Sequence, residues 1–161
     1  MLIEQFRAAL NAQGFEIQEI DATRPWGAFL RVVDGQADEF IETYFDGIHV
    51  PANARHGERS PKILLVAPHQ RLSWQYHNRR AEYWRAVSGD VGVYTSSTDA
   101  QPQEKIILRR GETIELARTM RHRLVGLDGW GAVAEIWIHT DPQYLSDEND
   151  IVRLQDDYAR G

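Results

Sequence analysis

The sequence predicts an all-β sandwich or barrel with short helices at its two ends. Three observations carry this. Short β-rich runs recur between Lys62 and His139 about every eight to twelve residues, with turn residues between them. Apolar residues at helical spacing flank that region on both sides. The length, 161 residues, is that of a single domain large enough to bury a core without disulfides or a structural metal.

Taken in order, Leu2, Phe6, Ala9, Leu10 and Gln13 share one side of a helix that Gly14 stops. Phe15, Ile17 and Ile20 begin an extended stretch, and Arg24-Pro25-Trp26-Gly27 reads as a loop. Ala28–Val33 reads as a strand ended by the turn pair Asp34-Gly35. Asp38–Phe45 is helical by the spacing of Phe40, Ile41, Tyr44 and Phe45, with Asp38 as its cap. Gly47–Pro61 is a polar loop. The strands expected next are Lys62–Ala67, Leu72–His77, Glu82–Ser88, Val91–Ser96, Lys105–Leu108, Thr113–Leu116, His122–Val125 and Ala132–His139. A helix over 146–160 is expected last, capped by Ser146, with Asp147, Glu148 and Asp150 at its positive end and Ile151, Leu154 and Tyr158 on one face. The expected plan is one domain over 1–161. In it, 1–60 is an extension packed on the barrel, 62–139 is the core and 146–160 is the closing helix.

Composition removes several function classes. The absence of cysteine excludes disulfide frameworks, thiolate metal sites, iron–sulfur clusters and cysteine nucleophiles. A net charge of −6 argues against a nucleic-acid partner. No apolar run approaches the length of a membrane span, and the N-terminus lacks a signal-like core, so no membrane partner and a cytoplasmic location are expected. Arginines gather near Arg79–Arg85 and Arg109–Arg123, which suits a small anion better than a polyanion.

The chemistry concentrates in Arg71–Gly89. Alternation along a strand points Gln75 and His77 to one face. A turn at Asn78–Arg80 is expected to return the chain antiparallel and bring Glu82 beside them. His122 lies on a later strand with similar alternation. An amide oxygen, two imidazoles and a carboxylate form a divalent-metal ligand set without sulfur, suited to zinc, manganese, iron, cobalt or nickel. Each of these residues, taken alone, reads more readily as an ordinary polar residue of a strand than as a ligand.

The spacing Gln75-x-His77-x4-Glu82-x6-Gly89 resembles the first signature of the cupin superfamily, with glutamine in place of the first histidine. That variant resembles the type II mannose-6-phosphate isomerases, usually C-terminal domains of bifunctional mannose-1-phosphate guanylyltransferase/isomerases. Arg24-Pro25-Trp26-Gly27 is similar to that family's RPWG, and Lys62 stands where it has a strand lysine. LSWQYHNRRAEYW is similar to its LSLQxHxxRAEHW motif, and His122-Arg123-Leu124 to its HRL motif. Asp150-Ile151-Val152-Arg153, with Asp156, Asp157, Tyr158 and Arg160, is similar to its DIVRxxDxYGR tail. The departures are Pro68-His69-Gln70 for a glycine-rich turn, Tyr83 for histidine, Ala117 for proline and Gly126 for asparagine. They are expected around the barrel mouth, and His69 there is a further candidate ligand or proton shuttle, or an exposed turn residue.

The resemblance implies a cupin double-stranded β-helix, or jelly-roll barrel, that binds one divalent metal, zinc first, through Gln75, His77, Glu82 and His122. It implies metal-dependent aldose–ketose isomerisation of a sugar phosphate, and a homodimer. The alternative is a non-catalytic cupin that binds sugars or sugar phosphates. Without a glycine-rich nucleotide loop, an isomerase-like module alone is expected. Lys62, Glu135 and Arg123 are the candidate catalytic residues. Lys62 is otherwise an edge-guarding lysine and Glu135 a solvated strand carboxylate. Strand alternation turns Arg123 away from His122 unless a bulge intervenes. Arg80, Arg24 and Arg153 are candidate phosphate holders, each also readable as structural. Trp74, Trp84 and Tyr76 read as core or as a sugar-stacking platform. The 34–60 stretch could pack on the barrel, cover its mouth or form a dimer contact.

Overall fold

The computed structural model describes residues 2–49 and 57–157. Tyr158 and Arg160, part of the closing helix and tail motif, lie outside the described residues, as does part of the 47–61 loop.

The element order is α1 (Leu2–Ala12), β1 (Ile17–Arg24), β2 (Gly27–Val32), a 3-10 turn (Asp34–Gln36), α2 (Ala37–Tyr44), β3 (Lys62–Val66), β4 (Trp74–Tyr76), β5 (Arg80–Ser88), β6 (Val91–Ser96), β7 (Ile106–Leu108), β8 (Thr113–Leu116), β9 (Arg121–Gly126), β10 (Gly131–His139) and β11 (Val152–Gln155). They form two antiparallel sheets, β1-β2-β3-β10-β5-β8 and β11-β4-β9-β6-β7. The sheets pack face to face as a double-stranded β-helix, the jelly-roll the sequence implies.

Two cores follow from strand alternation. On the outer face of the six-stranded sheet, Leu30, Ile63, Leu65, Ala81, Ala134 and Ile136 meet Leu10, Phe15, Phe40 and Phe45. This is where α2 packs, so of the three placements open for this segment its helix takes the barrel wall. Between the sheets, Leu64, Val66, Trp84 and Val133 meet Val91, Val93, Leu108 and Leu124. Strand β10 is buried along all nine residues because both of its faces are covered.

Several local expectations change. The 1–60 segment is more than an extension, since β1 and β2 continue the sheet through β2–β3 pairing. Asp38 does not cap α2, whose cap is Gln36; its carboxylate instead accepts from Arg59 at 2.8 Å. The helix expected over 146–160 is absent among the described residues, where Val152–Gln155 form a strand against β4. The acidic residues there bond to the rest of the molecule instead of to a helix terminus.

Gly27, in the RPWG loop, has φ +151°, and a Cβ there would meet Leu65 O at 1.9 Å. Only glycine lets β2 lie this close to β3. Gly126 has the same role toward Ala67, where a Cβ would fall 2.0 Å from the carbonyl oxygen.

Candidate metal centre

Both sheets contribute to one cavity of about 310 Å³, within the size range of small-molecule sites. The six-stranded sheet turns Lys62, Glu82, Trp84, Glu135 and Trp137 into it, and the other sheet Gln75. His77, just beyond β4, also lines it. The expected antiparallel return from His77 to Glu82 does not occur. Strand β4 pairs with β9 and β11, while β5 crosses to the other sheet and pairs with β10 and β8. Glu82 therefore faces His77 across the sandwich, not along a hairpin.

His77, Glu82 and His122 are all buried, with one potential ligand atom from each within 4.8 Å of the others. Glu82 Oε1 lies 3.6 Å from His77 Nε2 and 3.4 Å from His122 Nε2. Both rings are oriented from behind. His77 Nδ1 is 2.6 Å from Asp150 O, and His122 Nδ1 is 2.9 Å from Met120 O. A carbonyl only accepts, so each Nδ1 carries the hydrogen and each Nε2 is turned toward Glu82. Gln75 stands directly opposite His122 in the β4–β9 register, and its amide oxygen accepts from Ser73 Oγ at 2.7 Å.

Two atoms at this centre, Glu82 Oε1 and His122 Nε2, are buried without a hydrogen-bond partner. Leaving such atoms unpaired is costly, and a cation between them would satisfy both. The donor set, nitrogen and oxygen only, fits a borderline divalent ion. Burial alone would push the Glu82 carboxyl up. The electrostatic influence of the adjacent His77 and of the Arg80 guanidinium outweighs it and holds Glu82 well below the usual carboxylate range. It is thus ionised, as a ligand must be.

Arg80 is part of this centre's support rather than a free anion holder. Its guanidinium donates to Glu82 Oε2 at 3.0 Å, Ser146 Oγ at 2.9 Å and Asp147 O at 3.1 Å, and stacks over Trp137. Ser146 Oγ in turn donates to Asp150 Oδ2 at 2.6 Å, and Asp150 O holds His77. A closed chain of bonds thus joins Glu82 to His77 through Arg80, Ser146 and Asp150. Its last two members come from the stretch expected to be helical.

The remaining candidates separate. Lys62 Nζ is 3.5 Å from Glu135 Oε2, and Trp84 Nε1 donates to Glu135 Oε1 at 3.0 Å. Burial pushes the Glu135 carboxyl up, the Glu82 charge adds to this, and Lys62, Trp84 and Arg80 oppose it. Both residues line the cavity, so neither is an edge-guarding or solvated side chain. Arg123 is not part of the cavity lining. It is fully buried and donates to Leu72 O, Gln101, Gln155 O and Gln155 Oε1, as strand alternation requires. Arg24 lines the cavity but pairs with Asp21 at 3.0 Å, and Arg153 lines it from an exposed position on β11. His69 is exposed beside Asp128, away from the cavity.

Trp84 lines the cavity, whereas Trp74 is buried elsewhere and donates to Asp99 O, and Tyr76 lies under Arg121. None of the departures from the isomerase pattern is among the residues lining the cavity. Tyr83 packs beside Phe45 on the outer face, and Pro68–Gln70, Ala117 and Gly126 are absent from the cavity lining. Residues not expected from sequence are Trp26, Arg31 and Trp137 in the lining, and Ser146 and Asp150 behind the ligands. The alternation Phe29, Arg31 along β2, continued by Lys62 on β3, is the signal that places Arg31 on the inner face.

A family model described as mannose-6-phosphate isomerase C-terminal matches residues 45–156. A curated relative, the xanthan biosynthesis protein XanB of Xanthomonas campestris pv. campestris, is 27% identical over 137 residues in each of two strains. That match covers 85% of this chain and 23% of XanB, so the chain spans about a quarter of the length of this relative. The capsular polysaccharide assembling protein CapF of Staphylococcus aureus is similar in structure, with TM-score 0.56 and 12% identity. That match covers 87% of this chain and 34% of CapF, and shows the shared fold. With its family match spanning more than half of the sequence, the chain belongs to the mannose-6-phosphate isomerase C-terminal family.

Proposed function

We propose that this protein is a metal-dependent sugar-phosphate isomerase that interconverts mannose 6-phosphate and fructose 6-phosphate or a close relative. The observation that carries this reading is the pairing of two functions in one cavity. Glu82 Oε1 and His122 Nε2 stand unpartnered at one wall, and the Lys62–Glu135 pair lies beside them. Membership of the isomerase family and a relative named for xanthan biosynthesis support a sugar phosphate as substrate.

Gln75, His77, Glu82 and His122 would hold the ion. Bound there, a divalent metal supplies Lewis acidity to a carbonyl and its adjacent hydroxyl. Aldose–ketose exchange then needs a proton taken from one carbon and returned to its neighbour through an enediol. Glu135 suits this work. Its elevated proton affinity makes it a stronger base than an ordinary glutamate, and Lys62 and Trp84 fix its two oxygens. Glu82 cannot serve, because Arg80 and the ligand position engage both of its oxygens. Trp26 Nε1 and Trp137 Nε1 are buried without partners, and both residues line the cavity. They offer donors for sugar hydroxyls. Zinc is the first choice of ion, ahead of manganese, cobalt, iron or nickel, for a nitrogen–oxygen set of this kind. A cytoplasmic homodimer belongs to the same proposal.

The test is isomerase turnover by purified protein supplied with zinc, manganese or cobalt, against a Gln75→Ala, His77→Ala control. Turnover above the control is expected. If no hexose or heptose phosphate is turned over, the reading fails. A sugar phosphate that still raised the thermal midpoint would then leave a binding cupin without catalysis.

A further inference from the structure

One row of directly paired residues crosses the inner face of the six-stranded sheet. It runs Glu19 on β1, Arg31 on β2, Lys62 on β3, Glu135 on β10 and Trp84 on β5. All five line the cavity. Arg31 and Lys62 are therefore two cations side by side on neighbouring strands. Like charges directly opposite destabilise a sheet unless something compensates them. Lys62 has Glu135. Arg31 has two carboxylates, Glu58 and Glu148, the latter at 3.1 Å.

Those two partners differ. The Glu58 side chain is 32% exposed, and the Glu148 side chain 60%. Glu148 sits in the stretch between β10 and β11 and, among the described residues, its carboxylate bonds only Arg31. An ion pair so open to water is easily exchanged for another anion. Arg31 itself is only 17% exposed, with its planar fork at the cavity. It combines a largely buried guanidinium with a partner open to exchange, whereas Arg153, which also lines the cavity, is exposed on β11. Arg80 is spent on Glu82, Ser146 and Asp147, and Arg24 is paired with Asp21 and 41% exposed.

We propose that Arg31 is the anchor for the phosphate of the substrate, and that the Glu148 carboxylate occupies this position until the substrate displaces it. The assignment rests on the sugar-phosphate reading for the rest of the ligand. A guanidinium is matched to phosphate because its fork donates two parallel hydrogen bonds. Arg31 is two strands from Glu135, roughly 10 Å by ordinary strand spacing. An open-chain sugar phosphate carries its phosphate at one end and its carbonyl at the other. Anchored at Arg31, it would pass Lys62 and bring its carbonyl end toward Glu135 and the Glu82–histidine centre. The exchange breaks one carboxylate–guanidinium pair and makes one phosphate–guanidinium pair, so the anchor binds only ligands that bring their own negative charge.

Calorimetric titration of the zinc-loaded protein tests this with three probes: mannose 6-phosphate, unphosphorylated mannose and inorganic phosphate. Glu148→Gln is expected to bind mannose 6-phosphate and inorganic phosphate several-fold tighter, because the competing carboxylate is gone. Arg31→Met is expected to weaken mannose 6-phosphate about tenfold or more and to leave unphosphorylated mannose unchanged. Should Arg31→Met not fold, since Glu58 loses its partner, Arg31→Lys keeps the charge without the fork and is expected to weaken the sugar phosphate several-fold. Equal or weaker phosphate binding by Glu148→Gln overturns the anchor. So does a folded Arg31 variant with unchanged affinity, or no phosphate-dependent binding by either wild type or Glu148→Gln. Turnover separates this from the isomerase reading. Arg31-dependent binding without turnover removes the isomerase and keeps the anchor. Turnover with a KM indifferent to both variants keeps the isomerase and removes the anchor.

Discussion

Glu82 and Glu135 show how one cavity gives two carboxylates different work. Glu82 is next to Arg80 and two imidazoles, so its charge is favoured despite burial. Glu135 is buried with one lysine and an indole N–H, and the Glu82 charge pushes against its own. Environments that drive two carboxyls apart in this way are a mark of divided acid–base roles. If Glu135 is the base, Glu135→Gln should lower kcat by about 10²–10⁴, with metal content and KM little changed. The amide can still accept from Trp84 Nε1, so the cavity wall stays in place. A variant retaining wild-type kcat would exclude Glu135 from proton transfer. That Gln75 and His77 share a face was legible in the sequence, because strand alternation is strict, whereas Glu82 was expected from a hairpin return that does not form. The direction of Arg123 was legible for the same reason. What alternation could not reveal is which polar partner each side chain finds. Arg80 has the inward direction of an anion holder, yet Glu82, Ser146 and Asp147 consume its donors.

At the scale of elements, the strands from Lys62 to His139 were read to within about two residues. Their short apolar runs, alternating where one face is covered and continuous where both are, are bounded by turn residues, a signal that survives in any single sequence. The C-terminal helix was misread for a physical reason. Ser146, Asp147 and Asp150 are ideal residues for a helix start, but their side chains had better partners elsewhere. Asp150 accepts the backbone N–H groups of Asn78 and Arg79, Asp147 pairs with Arg79, and Ser146 bonds Arg80. Those bonds hold the β4–β5 turn and the segment before β11 together. The same junction holds His139 at the end of β10. Its Nδ1 accepts from Ser146 N at 3.0 Å, and its Nε2 donates to Glu58 O at 2.6 Å. Burial depresses its pKa, as do Arg80 and Arg59, while the Glu58 carbonyl and Asp34 oppose this. The unfolded chain therefore binds this proton at higher pH than the folded chain. The stabilisation is fully present above the ordinary histidine value, about 6.5, and falls as pH drops below it. The urea midpoint should decline from pH 7.5 to pH 5.5, and His139→Gln should flatten that decline. An unchanged slope in the variant would assign the acid sensitivity to another group.

Across the whole molecule, the candidate metal centre is where the two sheets meet. Glu82 belongs to the six-stranded sheet, while Gln75, on β4, and His122, on β9, belong to the five-stranded sheet, with His77 just beyond β4. Elsewhere the sheets are joined by apolar packing through Leu64, Val66, Trp84 and Leu124. A ligand set drawn from both sheets is intact only when the sandwich is assembled, so metal affinity is linked to folding. At free metal about 100-fold above Kd, the linkage is worth about 2.7 kcal/mol. For a chain of this size that corresponds to a rise in Tm of roughly 5–11 °C. Zinc added to chelator-treated protein should produce such a rise, and EDTA should reverse it. In His77→Ala/His122→Ala the response should vanish, and the double variant should melt at one temperature whether metal or chelator is present. Glu82 would then be a buried carboxylate that no longer meets a metal, and its pairing with Arg80 would be the main polar bond left at the centre. Equal Tm values for wild-type protein with zinc and with EDTA would mean that these residues do not form a metal centre. The unpartnered Glu82 Oε1 and His122 Nε2 would then have to be satisfied by water.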